Sequence, residues 1–257
     1  MDRASASSPV SPTTDERTAH GRGRAPPHQL KVISFMELAL RPGLSFCIAS
    51  DRAIFLDLPR NRYFCLSPRA NDAFVSLVDG TAPPASADLI RNILPANLLA
   101  PALAEGRPLR TQAPLALSDS LIEQSSGRPS MMTMSQALLQ LAVTAASLKI
   151  LPLARIVAAI EREKQAARHL ASAVISPALT DIVAAYERAN LHVARHDRCL
   201  PRSIAMARHL LRAGIIPILV LAVMVRPFQA HCWVQFEDHV LNDHLDNVRN
   251  FTPILIV

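Results

Sequence analysis

Three side chains near the end of the chain have the types and the order of a thiol-based nucleophilic site: Cys199, His231 and Asp243. A thiol becomes a strong nucleophile when an imidazole can take its proton, and a carboxylate can hold that imidazole in the required orientation. His231 follows Cys199 by 32 residues and precedes Asp243 by 12. This spacing leaves room for a helix after the thiol and for strands that carry the imidazole and the carboxylate.

The segment RCLPRSIAMARHLLRAG predicts a helix that opens at Cys199. Pro201 suits the first helical turn, where a missing N–H costs nothing, and Gly214 suits the position just past the end. Apolar residues recur between them at helical spacing, which gives the helix one face to bury. A thiol at a helix N-terminus lies among unpaired N–H groups at the positive end of the helix dipole, which favours the thiolate.

Strands are predicted for the residues after this helix. The apolar run Ile215–Val225 is typical of a buried strand and is too short to cross a membrane as a helix. Ala230–Phe236 alternates between its two faces, and Val240–Asp243 predicts a second short strand, with a turn near Glu237–His239. These elements predict a hairpin.

The register of this hairpin decides whether the imidazole meets the carboxylate. If the turn centres on position 237, His231 and Asp243 face each other across the two strands, within reach of a side-chain hydrogen bond. Alternation places Trp233 and Gln235 on the His231 face and turns Cys232 to the opposite face. We therefore expect Cys199, rather than Cys232, to be the reactive thiol.

The stretches CLPRS and AHCWV, and the aspartate of LND, resemble the C-terminal domain of the lasso peptide biosynthesis B proteins. Those proteins are transglutaminase-like cysteine proteases that remove the leader from a ribosomally made precursor. The resemblance covers roughly residues 130 to 257. It implies Cys199 as the nucleophile, His231 as general base and then acid, and Asp243 as the residue that orients His231.

Two positions depart from that family pattern, because Cys232 and Gln235 stand where alanine and glutamate are usual. The resemblance implies a cytoplasmic leader peptidase that needs no cofactor or metal. Its partners would be the leader of the precursor peptide and a separate asparagine-synthetase-like lasso cyclase. Transamidation by the same acyl-enzyme, and an inactive peptide-binding scaffold, remain alternatives.

A zinc site is a third alternative for the same stretch. Its candidate ligands are Cys199, His231, Cys232, His239 and His244. However, no C-x-x-C or H-x-x-x-H spacing occurs among them, and Cys232 and His231 point to opposite faces of one strand. The sequence therefore favours the nucleophilic site.

Composition limits the remaining choices. The chain has 257 residues, is 50% hydrophobic and carries four widely spaced cysteines, which suits a reducing cytoplasm. The net charge of +6 makes an acidic partner plausible, but we expect no nucleic-acid partner. There is no phosphate-binding glycine motif. Met131–Lys149 and Pro152–Val174 are predicted to be core helices, with no membrane span.

The predicted fold class is α+β, with a small winged-helix-like domain before a papain/transglutaminase-like cysteine protease domain. Residues 1–28 are rich in Ser, Pro and Arg and predict a disordered tail without a secretory signal. Residues 30–115 form the recognition domain, 116–130 a linker, and 131–257 the protease domain.

The winged-helix prediction rests on element order. Three strands within residues 44–66 precede a helix after Ser67 and Pro68, a second helix from Ser86, and a third over Asn97–Ala104. A winged helix commonly reads DNA with a basic third helix, but this third segment carries no Lys or Arg. We expect instead that a leader peptide adds as a strand to the sheet edge, with purely structural packing as the alternative.

Overall fold

The computed structural model describes residues 38–81, 92–95, 98–101, 107–108, 116–124, 127–168, 175–190 and 199–257. All of them lie in one compact unit, Ser34–Val257. The predicted tail 1–28, the predicted helix from Ser86 and the loop that leads to Cys199 lie outside the described residues. The positions of the predicted domain boundaries stay a prediction.

The N-terminal half is built on a three-stranded antiparallel sheet in the order β2-β3-β4, followed by one helix. The predicted strands and the helix after Ser67 and Pro68 are confirmed. The elements of this half are β1 (Leu38–Leu40), β2 (Leu44–Ala49), β3 (Arg52–Asp57), β4 (Arg62–Cys65), α1 (Pro68–Val78), β5 (Leu99–Pro101) and β6 (Arg107–Pro108).

A second small sheet replaces the predicted third helix. β1 pairs antiparallel with β5 on one side and with β6 on the other. The helix predicted over Asn97–Ala104 is therefore wrong at Leu99–Pro101, where the backbone pairs with Leu38–Leu40. This pairing is long-range, so local helix signals do not reveal it. Because Leu99–Pro101 is a strand, these residues cannot belong to the recognition helix with which a winged helix reads DNA.

The C-terminal half joins helices to one five-stranded sheet in the order β11-β8-β9-β10-β7. All its strand pairs are antiparallel except β10 with β7. Its helices are α2 (Leu121–Gln124), α3 (Met131–Ile150), α4 (Leu153–Ala167), α5 (Pro177–Asn190), α6 (Cys199–Arg212) and α7 (Leu245–Val248). Its strands are β7 (Asp119–Ser120), β8 (Ile218–Met224), β9 (Gln229–Phe236), β10 (His239–Val240) and β11 (Thr252–Ile256).

The prediction of α3, of the first part of α4, of α6 and of strands β8 and β9 is confirmed. The strand predicted over Val240–Asp243 is wrong beyond Val240, because the chain bends at 241–243. β11 was not predicted, although it pairs with β8 at one edge of the sheet. Strand β7 and helix α2 lie inside the stretch 116–130, which was predicted to be a linker.

The sheet β2-β3-β4 has a different core on each face. One face packs Phe46 and Phe55 against Phe74 of α1. The other face contributes Ile54 and Leu56 to the core that also contains the buried residues of α4, α5 and α6. The two halves of the chain therefore share a hydrophobic core, which fixes β4 close to the thiol-bearing helix.

Helix α3 is much more exposed than a core helix. Among the described residues it is the one helix long and apolar enough to cross a membrane by length and composition, and only 11% of its most apolar stretch is buried. Ala137 and Thr144 are its buried residues. The prediction that this segment is an ordinary core helix is wrong, because only one narrow side of it packs against α5 and α6.

Candidate functional site

Cys199 is the first residue of α6 and is partly exposed. Helix α6 forms because its apolar side chains share one face, and Ile204 and Leu210 on that face are fully buried. Gly214, with a φ of 74°, ends the segment in the left-handed conformation that glycine adopts freely. The buried helix thus holds the thiol at its N-terminus, at the edge of the core.

His231 lies on β9, with its ring packed between aromatic neighbours. The ring centroid is 4.9 Å from that of Phe251 and 6.0 Å from that of Trp233. Nε2 of His231 is hydrogen-bonded to Oδ2 of Asp243, and the two side chains are only 15% and 16% exposed. Because Nε2 is bonded to Asp243, Nδ1 is the ring nitrogen that remains available for a hydrogen bond with the Cys199 sulfur.

Asp243 is held by donors other than His231. The backbone N–H of His244 donates to Oδ1 at 2.7 Å, and the Asn247 side chain lies 3.1 Å from Oδ1 and 3.0 Å from Oδ2. Ser120 of β7 donates its hydroxyl to the backbone carbonyl of Asp243 at 2.7 Å. The carboxylate therefore has a fixed orientation before any substrate arrives.

The predicted hairpin register is wrong by one residue. His239 pairs with Phe236 and Val240 with Gln235, which gives a two-residue turn at Glu237 and Asp238 rather than a turn centred on 237. Glu237 has a φ of 51°, and a Glu–Asp sequence does not predict this conformation, because two-residue turns of this kind usually contain Gly or Asn. Asp243 reaches His231 from the bend that follows β10.

The charges around His231 favour its protonated form. Burial acts to lower the pKa of His231, but the hydrogen bonds and charges of Asp243 and Cys199 outweigh it and raise this pKa to about 9. Burial likewise acts to raise the pKa of Asp243, yet the His231 contact, Asn247 and the His244 N–H hold it below its usual range. At neutral pH the arrangement thus places an imidazolium beside the thiol, which is the partner that a thiolate needs.

The stretch that contains all three groups matches a known family. Residues 137–256 match the model of the transglutaminase-like superfamily. This stretch is a transglutaminase-like superfamily domain. Comparisons of the chain with curated proteins and with solved structures gave no match. The superfamily generally has a cysteine-protease or transferase fold, and the α+β class predicted from the sequence agrees with it.

Two buried polar residues tie the transglutaminase-like domain together beside the thiol. Ser203, one turn after Cys199, donates its hydroxyl to the carbonyl of Cys232 at 2.8 Å. Asn242 donates to the Ser203 hydroxyl at 2.8 Å and accepts from the backbone N–H of Val234 at 2.8 Å. In the sequence, Ser203 is indicated only by its place in CLPRS, and Asn242 only by its place beside Asp243.

The other residues singled out from the sequence have supporting contacts. Arg202 forms an ion pair with Glu187 of α5. Gln235 is buried and donates to the carbonyl of Ala116 at 3.0 Å. Cys232 is buried, and burial raises the pKa of its thiol, so it is poorly suited to act as a nucleophile.

The proposed zinc ligands do not come together. Among the residues that the structure describes, no group of three or more His, Cys, Asp or Glu side chains is arranged to hold a metal ion. His239 instead lies 2.8 Å from the carboxylate of Asp238, and His244 lies 3.3 Å from that of Glu123.

A tyrosine from the N-terminal half reaches the same region. Tyr63 of β4 packs against the shared core together with Cys199. Burial, followed by the charges of Cys232, Cys199 and Cys47, raises the pKa of Tyr63 to about 12. Its ring meets Phe228, between β8 and β9, edge-on at 5.7 Å, and Phe228 is 51% exposed. No local pattern in the sequence indicates this contact, because it joins two distant parts of the chain.

Proposed function

We propose that this chain is a cysteine peptidase that binds and removes the leader peptide of a lasso peptide precursor. The observation that carries the proposal is the placement of one imidazole between a carboxylate and a thiol. His231 is hydrogen-bonded to Asp243, and Cys199, the first residue of α6, is close enough to raise the pKa of His231. The resemblance of CLPRS, AHCWV and LND to the lasso B proteins supplies the substrate class. The transglutaminase-like domain supplies the fold for it.

The chemistry follows from the order of the three groups. The Cys199 thiolate attacks the carbonyl carbon of the last leader residue, and the His231 imidazolium gives its proton to the amine of the departing core peptide. Water then gives a proton to the neutral imidazole and attacks the thioester. Cleavage of the C–S bond frees the leader as a carboxylic acid, which loses its proton to solvent, and restores the thiolate beside the imidazolium. Asp243 keeps the ring oriented and stabilises its charge throughout.

The developing oxyanion needs donors close to the sulfur. The first N–H groups of a helix have no partner inside the helix, so the backbone N–H of Cys199 is our candidate donor. The freed core N-terminus would pass to a separate ATP-using lasso cyclase.

Leader recognition is assigned to β4. In the sheet order β2-β3-β4, β4 is an edge strand, so a peptide can pair with its outer side. Arg62 and Cys65 at its two ends are exposed, whereas Tyr63 between them points into the shared core near Cys199. A leader lying along β4 would thus pass Tyr63 and the exposed ring of Phe228 on its way to the thiol. On that basis we assign leader recognition to the N-terminal half.

The test uses the full chain and the lasso precursor encoded beside it. We expect mass spectrometry to show a free core and a free leader with the wild type, and neither with Cys199→Ala. Hydrogen exchange should show protection of residues 62–65 on leader binding in both proteins, with α1 as the internal control. An uncut precursor would contradict the proposal. A leader joined to an added amine would instead identify the transamidation alternative, and binding without any covalent product would identify the inactive scaffold.

A further inference from the structure

The outer face of α3 is a continuous apolar surface that the proposed peptidase chemistry does not use. Its large side chains are far more exposed than core residues: Met131 84%, Met132 73%, Leu138 52%, Leu139 61%, Val143 45% and Ile150 79%. An exposed apolar patch of this extent usually marks a surface that meets a protein or a membrane. We call these six residues the α3 apolar face.

This exposure does not come from a loosely attached helix. The carboxylate of Asp181 in α5 accepts from the Thr133 hydroxyl at 2.6 Å and from the Ser130 N–H at 2.9 Å. Gln136 lies 3.2 Å from the ring of His209 in α6. The inner side of α3 is therefore held by α5 and α6, while its apolar face points away from the protein.

The charged side chains on α3 and on the segments that flank it in the sequence are all basic. Residues 127–160 contain Arg128, Lys149 and Arg155 but no Asp or Glu. All three basic residues are exposed. An apolar helix face flanked in the sequence by basic side chains complements a surface of anionic lipid headgroups, and the Asp181 carboxylate meets α3 on its inner side. Two copies of the same face would instead bring like charges together.

We propose that the α3 apolar face docks on an anionic lipid surface, with the helix lying in the plane of the membrane. A helix of 20 residues is roughly 30 Å long. Its inner side is occupied by α5 and α6, so lipid can contact it from one side only. Interfacial rather than spanning contact follows from this geometry. The proposal does not depend on the peptidase assignment.

The experiment is flotation of the full chain with vesicles of phosphatidylcholine alone or of phosphatidylcholine with phosphatidylglycerol. We expect the chain to float with the anionic vesicles only, and binding to weaken as salt is added. Leu138→Glu should lower the partition coefficient roughly tenfold or more, because it puts a negative charge on the face that contacts the anionic lipid. Phe228→Glu is the matched control, since Phe228 is 51% exposed but lies outside α3, and it should bind like the wild type.

Two charge-reversal variants distinguish binding through the basic residues beside the α3 apolar face from binding through basic residues elsewhere. Lys149→Glu should lower the partition coefficient roughly tenfold, whereas Arg249→Glu, an exposed arginine after α7, should have little effect. Binding that survives both Leu138→Glu and Lys149→Glu would overturn the proposal and point to another basic segment. Light scattering measures the oligomeric state. A wild-type dimer that Leu138→Glu dissociates would overturn the proposal and assign the α3 apolar face to contact with a second copy. A monomer that binds no vesicle would also overturn it and would indicate a protein partner.

Discussion

Two carboxylates, the buried Asp57 at the end of β3 and the half-buried Asp243 after β10, are each held by cations, but the cations differ. Asp57 is 1% exposed and bonds to Arg41 at 2.5 Å and to Arg60 at 3.1 Å. Asp243 bonds to His231 in the transglutaminase-like domain. Although burial opposes it, the arginine contacts lower the pKa of Asp57, and the His231 contact lowers that of Asp243.

The difference lies in what the cation can do. A guanidinium stays charged at all working pH values, so the Asp57 cluster can only fix the turn between β3 and β4. An imidazole can give and take a proton near neutrality, so the pair of His231 and Asp243 can serve chemistry. A buried carboxylate therefore indicates a functional site only when its partner is titratable and lies beside a reactive group.

The same substitution at both carboxylates tests this difference directly. Asp243→Asn should lower kcat for precursor cleavage by about 10³-fold or more, because an amide cannot stabilise the imidazolium, and it should also lose the stability that the pair with His231 supplies below about pH 9. Asp57→Asn should leave kcat unchanged but lower the free energy of unfolding by about 3 kcal/mol, because it leaves two arginines without their counterion. Cleavage kinetics and urea unfolding of both variants check this. Equal kcat values in a folded Asp243→Asn protein would mean that Asp243 has a structural role only.

Both pairings stabilise the fold near neutral pH, but a rise in pH should remove only the pairing of His231 with Asp243. The pKa of His231 is raised to about 9, so its pairing contributes fully below its unfolded pKa of about 6.5 and is lost as pH rises through about 9. The pKa of Asp57 is lowered, so its pairing contributes above about 4 and is lost as pH falls through its lower folded pKa.

Unfolding free energies of the wild type, His231→Gln and Asp57→Asn across pH measure the two contributions. The difference between wild type and His231→Gln should be a few kcal/mol at pH 6 and should vanish above about pH 9. The difference between wild type and Asp57→Asn should persist at pH 9 and shrink in acid. Two differences with the same pH dependence would remove the distinction between the two clusters.

A smaller effect is expected where the polar network supports the site without touching the three groups. Ser203→Ala leaves Asn242 and the Cys232 carbonyl without their buried partner, which should cost about 1–3 kcal/mol of stability. We expect kcat to fall about tenfold, with KM unchanged, because the helix start that carries Cys199 loses its fixed position. Ser203→Thr, which keeps the hydroxyl, should restore part of the lost kcat. A change in stability alone would assign the network to folding.

The smallest effect is expected at the second cysteine of the transglutaminase-like domain. Cys232→Ala removes a buried sulfur from the hydrophobic core in which α6 packs. The variant should cost about 1 kcal/mol of stability and retain most of the activity. Circular dichroism and cleavage of the precursor check the two halves of this prediction. An inactive but folded Cys232→Ala protein would contradict the assignment of the thiol.

Local sequence patterns were sufficient for the elements of the site but not for the contacts between them. Helical periodicity and Gly214 predicted α6, and alternation predicted β9 with His231 and Cys232 on opposite faces. The register failed because Glu237 adopts a positive φ in a two-residue turn that has no Gly or Asn to signal it. Asn242 and Tyr63 were missed because their partners are distant in sequence, and propensity carries no information on such pairs.

The central claim is that His231 activates Cys199, and alkylation of the four thiols tests it without any substrate. Cys65 is exposed on β4 and provides an internal reference, whereas Cys47 and Cys232 are buried. With iodoacetamide at pH 7, followed by peptide mass spectrometry, Cys199 should react at least tenfold faster than Cys65, and His231→Ala should remove that advantage. If Cys199 reacts no faster than Cys65, or keeps its rate in a folded His231→Ala protein, the account is contradicted.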